Sequence, residues 1–371
     1  MEFLIDIIVI LAASLILIIL MNYFRLPIII GLLIVGMIIG PYGLNLIKNT
    51  LLIDVLAELG IILLLFILGL ELNPKELSML WGNTLIFSLC EISISFILGL
   101  ISGLFLGWSF MEAFILGLIL SISSTAIIGK TIMSEFKVSE SKLIISILIV
   151  EDLFVVFLLF LMPGLILKEI KILQFLFMSL KAAILIAIIF AVNNFLIPRI
   201  IDKICHYEIE IEEVGFLLAL TLCLTAAFLS KFLGFSSGLG AFLSGLFLVG
   251  KRARFIHEKL RSIKDLFIIL FFVSMGMLID FSFLKFGKTI LLIILASIAG
   301  KLLGFIAAGY ITGFKSKSYK MGLRMIPRGE FSFVIARTSI NLGLISPMIF
   351  PITGSIVLVT SMLDSLIKRF E

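Results

Sequence analysis

The chain has 371 residues, 61% of them hydrophobic and only 14% charged, with a formal net charge of +5. Soluble domains hold about 45–50% apolar residues, so this composition leaves too little polar surface for solvation and excludes an ordinary water-soluble enzyme. Length alone suggests two or three soluble domains, but a division into membrane spans fits this composition better.

Thirteen apolar segments follow in order: 3–23, 27–44, 51–70, 83–107, 112–134, 141–163, 172–198, 213–232, 236–250, 265–283, 288–312, 320–343 and 348–367. The first lacks a basic leader and a small-residue cleavage site, so a retained helix is expected in place of a signal peptide. The second and ninth are short and rich in glycine (Gly31, Gly36, Gly40; Gly238, Gly240, Gly245), which lets neighbouring helices approach closely. No soluble regulatory domain is expected after the last segment. The three cysteines (Cys90, Cys205, Cys223) show neither metal nor disulfide spacing, and the Cys205–His206 pair reads as an unremarkable loop feature.

Basic residues alternate between connections. With the N-terminus outside, the inner connections hold Arg25, Lys75, Lys137, Lys142, Arg199, Lys203, Lys315, Lys317, Lys320, Lys368 and Arg369, together with the run KRARFIHEKLRSIK at 251–264. The outer ones hold Lys48, Lys168, Lys171, Lys231, Lys285 and Lys288. The positive-inside rule then predicts N-out and C-in. The basic run reads first as a solvated inner loop and second as a lipid-binding helix.

Two segments are interrupted. The fifth carries SISSTA at 121–126, a polar cluster in an apolar run, and the twelfth carries IPRGEFSF at 326–333, where Pro327 removes a donor and Gly329 loosens the backbone. A shift of seven segments aligns the two and also aligns the fourth, with Glu91, and the eleventh, with Lys301. An odd shift reverses direction, so two inverted six-helix halves joined by the seventh segment are predicted. Paired discontinuous helices at matching positions point to a midplane transport site.

The sixth segment carries Glu151 and Asp152 side by side, with eight uncharged residues before them and eleven after. An ionised carboxylate at bilayer depth costs about 2.5–3.5 kcal/mol on insertion scales, so two adjacent acids mark a site for a cation or a proton. The plainer reading is a structural ion pair in the bundle. Lys301 is too deep in its segment to snorkel, which predicts pairing with Glu151 or Asp152, against a lysine facing a watery crevice. Ser123, Ser124 and Thr125 offer hydroxyl oxygens at the first break as weak ligands for a hard cation, unless they bond only to their own backbone. Arg328 and Glu330 flank Gly329 and read best as a mutually compensating pair that steadies the unwound backbone, with Glu91 as a partner for Arg328. Asp54 and Glu58 could draw cations inward or simply sit at a solvated helix end. Asp280 reads as a structural cap, and Arg324 and Arg337 have no assigned role.

These residues sit within a wider set of motifs: LPIIIGLLIVGMIIGPYGL (26–44), ELGIILLLFILGLEL (58–72), SISSTA (121–126), EDL (151–153), LGAFLSGLFL (239–248), FFVSMGMLID (271–280), Lys301 and RGEFSF (328–333). On these the chain resembles the cation:proton antiporter-2 family, the monovalent cation/proton antiporters, across essentially its whole length. The resemblance implies an all-α polytopic membrane protein of about 13 transmembrane helices with crossed discontinuous helices, assembled as a homodimer. It further implies segments 1–3 (residues 1–82) and 8–10 (213–287) as dimerisation domain, 4–6 (83–163) and 11–13 (288–371) as mobile core, and 164–212 as linker.

By the same resemblance Asp152 matches the invariant cation- and proton-binding aspartate, and Lys301 the lysine that pairs with the first acid in electrogenic members. Glu151 holds the variable preceding position. Aspartate there goes with electrogenic sodium exchange, asparagine with electroneutral exchange, and glutamine with glutathione-gated potassium efflux. Glutamate departs from all three; the expectation is a Glu151–Lys301 pair with two protons per cation, because a lone Lys301 is costly, and the alternative is one-for-one exchange with a neutral Glu151. The partners implied are sodium or another monovalent cation, protons and membrane lipid, with potassium as the alternative ion. No cofactor, nucleic acid or enzymatic activity is expected, and the location implied is the cell membrane.

Two rival classes carry less. A channel needs a carbonyl filter, and no such motif is present. An intramembrane hydrolase needs a base beside Ser123 or Ser124, whereas His206 and His257 are placed in loops. Adjacent acids on one helix also point about 100° apart, a poor geometry for an aspartyl dyad.

Overall fold

The computed structural model describes residues 2–24, 26–72, 82–129, 132, 136, 138–166, 172–199, 211–248 and 251–370. Among them the regular structure is helical, with no strand, as the near-continuous apolar runs require in a medium where every backbone group must be satisfied within its own segment. The helices are α1 (Glu2–Tyr23), α2 (Ile28–Ile39), α3 (Thr50–Glu71), α4 (Asn83–Phe105), α5 (Phe110–Ser121), the short α6 (Thr125–Ile128) and α7 (Val138–Leu161). After them come α8 (Ile172–Ala191), α9 (Ile211–Phe232), α10 (Ser237–Leu246), α11 (Lys251–Met277), α12 (Gly287–Thr312), α13 (Lys315–Arg324), α14 (Glu330–Asn341) and α15 (Ile349–Phe370).

Each of the thirteen apolar segments overlaps at least one of these helices among the described residues. Nine spans among the described residues, counting α5 with α6 as one, are long and apolar enough to cross a membrane. The other four are short (α2 and α10), carry a basic first half (α11), or are split in two (α13 and α14), so thirteen full-length spans do not follow from length and composition. The protein is an all-α polytopic membrane protein. Its apolar residues are distributed accordingly: Leu4, Ile5, Ile8, Leu15, Ile16 and Ile19 of α1 are all exposed, an arrangement that calls for apolar surroundings such as lipid or another protein surface.

One expectation is corrected. The run 251–264 is not a loop before a helix starting at 265; it is the first half of α11, continuous to Met277. Lysine, arginine and glutamate are good helix formers, and Leu260 among them is buried, so propensity and packing agree. His257 therefore stands on a helix, with its ring Nε2 3.2 Å from Glu71, whose Oε1 also accepts from Lys264 at 2.6 Å. Arg25, Lys75, Lys137, Lys168, Lys171, Lys203, Cys205 and His206 lie outside the described residues, as do the side chains of Lys251, Arg252, Arg254, Lys259, Arg261, Lys315, Lys368 and Arg369.

By contacts the chain divides into two units. One comprises Met1–Asp54, Ser78–Val155 and Phe272–Glu371. It holds α1, α2, α4–α6, α12–α15 and most of α7, around a core that includes Phe87, Ile144, Ile147, Phe305 and Met321. The other comprises Val55–Leu77 and Val156–Phe271, with Phe66, Ala219, Cys223 and Ala241 at its centre. Every acid, base and hydroxyl of SISSTA, the Glu151–Asp152 pair, Lys301 and RGEFSF belongs to the first unit.

Local sequence explains how that unit begins its first interrupted helix. Ser109 caps α5 by accepting from the Glu112 amide at 3.2 Å, while the Glu112 carboxylate accepts from the Ser109 amide at 3.0 Å, a reciprocal capping box. The helix then runs to Ser121 and stops. Ile122 is extended (φ −111°, ψ 133°), and Ser124 opens α6 with its hydroxyl accepting from the Ile127 amide at 3.3 Å.

Candidate functional site

The two interruptions meet. The Ser124 amide donates to the Pro327 carbonyl at 2.8 Å, joining the backbone of the first break to that of the second. Pro327 supplies no amide of its own, and Gly329 has the open backbone (φ −142°, ψ −153°) that precedes α14. Each break leaves helix-end carbonyls without an intrahelical donor, which is costly in a buried setting unless another group supplies one.

Two buried cations supply it. Arg328 directs its Nη1 to the carbonyls of Ile122 (3.3 Å) and Met325 (3.5 Å), one from each break. Its Nε and Nη2 go to the hydroxyl and carbonyl of Ser297 on α12, at 3.0 and 3.1 Å. The Arg328 amide donates to the Thr360 hydroxyl on α15 at 3.1 Å. Lys301 donates to the carbonyl of Ser121, the last residue of α5, at 2.8 Å. Cations at helix C-termini oppose the helix dipole, so both placements are favourable.

The acids face the same breaks. Glu151 accepts from the Ser123 amide, from the Ser123 hydroxyl at 3.3 Å and from Lys301 at 3.3 Å. The Ser123 hydroxyl also reaches the Met325 carbonyl, 3.0 Å away. Asp152 accepts from the Thr125 hydroxyl on both carboxylate oxygens, at 3.0 and 3.1 Å. The roughly 100° between neighbouring helix positions thus sends the two acids of α7 to different partners. Glu330 opens α14 and accepts from the Ser124 hydroxyl at 3.4 Å. Glu91, Glu151, Asp152, Lys301 and Arg328 are each at most 1% exposed.

One expected pairing is corrected. Glu91 does not face Arg328; its Oε1 is bonded to Lys301. Arg328 steadies the breaks through their carbonyls and Ser297. The reason is geometric: a planar guanidinium presents several donors in a fixed fork, and carbonyls from two breaks fall within it. Ser297 and Thr360 were missed in the sequence. Ser297 lies four residues before Lys301 on α12, a spacing that places both on one face and that could have flagged it. Asp364, buried and 3.5 Å from Arg324, was missed as well. Arg337 pairs with Asp54, while Glu58 takes Lys231 at 2.6 Å.

Sulfur and imidazole play no part in this constellation, and among the described residues no group of three His, Cys, Asp or Glu side chains is disposed to hold a metal ion. What it presents is carboxylate and hydroxyl oxygen around two helix breaks, a donor set that suits a hard monovalent cation or a proton.

The family described as "Sodium/hydrogen exchanger, transmembrane" matches residues 10–369. The chain belongs to that family. It is 30% identical to the Na(+)/H(+)-K(+) antiporter GerN of Bacillus cereus over 348 residues, covering 91% of this chain and 88% of the relative. It is 28% identical to the K(+)/H(+) antiporter subunit KhtU of Bacillus subtilis, over 94% of this chain and 88% of the relative. Among solved structures it is similar to the sodium proton antiporter MjNhaP1 of Methanocaldococcus jannaschii at pH 8, with a TM-score of 0.70, 19% identity, and 99% and 96% of the two chains covered. That likeness concerns the fold.

Proposed function

We infer that the protein is a secondary active antiporter that exchanges a monovalent cation, sodium in the first instance, for protons by alternating access. The observation that carries this is the junction of two interrupted helices with Asp152 buried beside it and hydrogen-bonded to Thr125. Asp152 is the exchanging group, and Thr125, Ser124 and Ser123 are the hydroxyls of its surroundings. A proton and a cation neutralise the same carboxylate, so each excludes the other. An empty anionic site is costly to carry through an apolar barrier, which couples the two fluxes and suppresses leak.

Potassium is the second reading, favoured by the names of GerN and KhtU, both of which include that ion. The protein acts without making or breaking covalent bonds. It resides in the cell membrane with its N-terminus outside and C-terminus inside, on the strength of its loop charges. It works as a homodimer in which α4–α7 and α12–α15 form the moving core, a reading supported by the family resemblance. The test is proton flux in proteoliposomes loaded with a pH-sensitive dye and titrated with sodium, potassium and lithium separately. Saturable proton movement that requires one of these cations on the opposite face is the expected result. Flux without a counter-ion requirement would mean a channel or a leak.

A further inference from the structure

The formal charge of the chain is concentrated in one place. Six of its 29 lysines and arginines and one of its 24 acids lie in 251–264, so this stretch carries the whole +5 and the remainder is balanced, with 23 of each sign. Folding makes the stretch the first half of α11, and packing sets its rotation. Leu260 is buried in the core around Phe66 and Cys223, and Phe267 packs against the same core. At about 100° per residue, His257 and Lys264 stand about 40–60° from Leu260, on the side where both meet Glu71. Positions 251, 252, 254, 259 and 261, all lysine or arginine, stand about 80–180° from it. Theirs is the arc turned away from the core, and the described residues on it agree: Glu258, Asp265 and Leu266 are exposed. Two acids share the arc with five bases, so it stays positive.

Glu71 also sets the height of this arc. It is the last residue of α3, whose 22 residues measure about 33 Å and match a hydrocarbon layer of about 30 Å. Its bonds to His257 and Lys264 hold that part of α11 at the boundary where α3 leaves the apolar layer. The apolar half of α11 leads to the same level. Leu266–Met277 is about 18 Å long, too short to cross alone, so the turns before it lie at headgroup depth. Leu266 follows Lys259 by two turns on the same arc and is 40% exposed. The basic arc thus runs directly into an exposed leucine, as a surface lying against both headgroups and acyl chains requires. A soluble acidic partner would be met by the outermost turns alone.

We propose that the basic arc of α11 is a binding site for anionic phospholipid, with its five bases set against the phosphodiester headgroups at that face of the membrane. The Glu71 clamp on the flank of the helix keeps the arc at this depth. A lysine or arginine near a membrane surface adds roughly a fivefold preference for anionic over zwitterionic lipid. Charge that served only to orient the chain during insertion would show no such preference in the finished protein, and this is the difference to be measured. The proposal needs a membrane protein but not the antiport reading, and its test involves no flux.

The experiment uses the solubilised full chain with a fluorescent phosphatidylglycerol as probe, displaced by unlabelled phosphatidylglycerol, phosphatidylcholine or inorganic phosphate. In the wild type, phosphatidylglycerol should displace the probe at a concentration about a hundredfold below phosphatidylcholine, and the gap should shrink as salt rises. Arg252→Gln with Lys259→Gln should cut that preference about 30-fold. Glu258→Gln removes an acid from the same arc and should raise it about fivefold. Lys142→Gln with Lys320→Gln removes the same charge from exposed positions elsewhere. That pair should leave the preference within about twofold, because charges beyond a Debye length are screened. Equal losses in the two double variants would overturn the proposal in favour of general surface charge. Equal displacement by the two lipids would overturn it too, as would inorganic phosphate matching phosphatidylglycerol, or an acidic protein held on the arc that phosphatidylglycerol cannot displace. If R252Q/K259Q fails to fold, the salt dependence of the wild type and the gain in Glu258→Gln still decide.

Discussion

Gly329 lies directly on Ser124: a Cβ at position 329 would stand 2.4 Å from the Ser124 hydroxyl oxygen and 2.9 Å from its Cα. The two breaks can share the Ser124–Pro327 hydrogen bond only because one of them has no side chain at the crossing. The backbone of Gly329 is not left-handed, so alanine could adopt its angles, and the constraint is purely one of space. Ser124 cannot swing away without cost, since its hydroxyl caps α6 and reaches Glu330. Gly329→Ala should therefore lower stability by about 1–3 kcal/mol and slow exchange, with Ser124→Gly added in the same chain recovering part of the loss. Thermal denaturation and dye-reported flux would check it, and an unperturbed Gly329→Ala protein would show that the breaks are not held so closely.

In the proposed mechanism Asp152 is the group through which proton and cation compete. Asp152→Asn keeps shape and removes the charge, so cation-driven proton release should vanish while the protein remains folded. Retention of half the wild-type exchange in reconstituted vesicles would end this assignment. The wild type supplies a companion measurement. As pH falls the carboxylate fills with protons, so the apparent KM for the cation should rise, by up to about tenfold per pH unit, while the rate at saturating cation changes less. A KM that is flat with pH would separate the cation site from the proton site.

Thr125 holds Asp152 through both carboxylate oxygens. A hydrogen bond to a charged group contributes about 1.5–3 kcal/mol, and the same hydroxyl is placed to act as a cation ligand. Thr125→Val removes it at nearly constant volume. The apparent KM for the cation should rise about tenfold, with a smaller fall in maximal rate. Ser123→Ala should act differently, because Ser123 reaches Glu151 and the Met325 carbonyl: a loss of stability is expected there before a change in KM. Equal KM values across both variants would make the hydroxyls structural.

The sequence alone was enough for the class and for the raw materials of the site. Apolar runs long enough to span a bilayer leave the backbone no option but helix, which fixes α1, α3, α4, α7, α9, α12 and α15. A proline and a glycine among charges at 326–330, and four hydroxyls within 121–125, break an apolar pattern in ways that local chemistry makes visible. The cost of a buried acid singled out Glu151 and Asp152 without any neighbour being known.

Partner choice was decided only by the tertiary structure. Nothing in the spacing of Glu91, Glu151, Lys301 and Arg328 says which acid meets which base, because the four come from four separate stretches of chain. Their pairing depends on how closely helices pack and at what height, and a single glycine at 304 brings Glu91 to Lys301 in place of Arg328. The fork of Arg328 found carbonyls from two breaks because those breaks cross, a fact of geometry that no local pattern encodes. Local propensity and solvation act on each residue where it stands, so the sequence carries them openly. The sharing of one lysine between two carboxylates is a property of distances across the fold, and only the assembled helices set those.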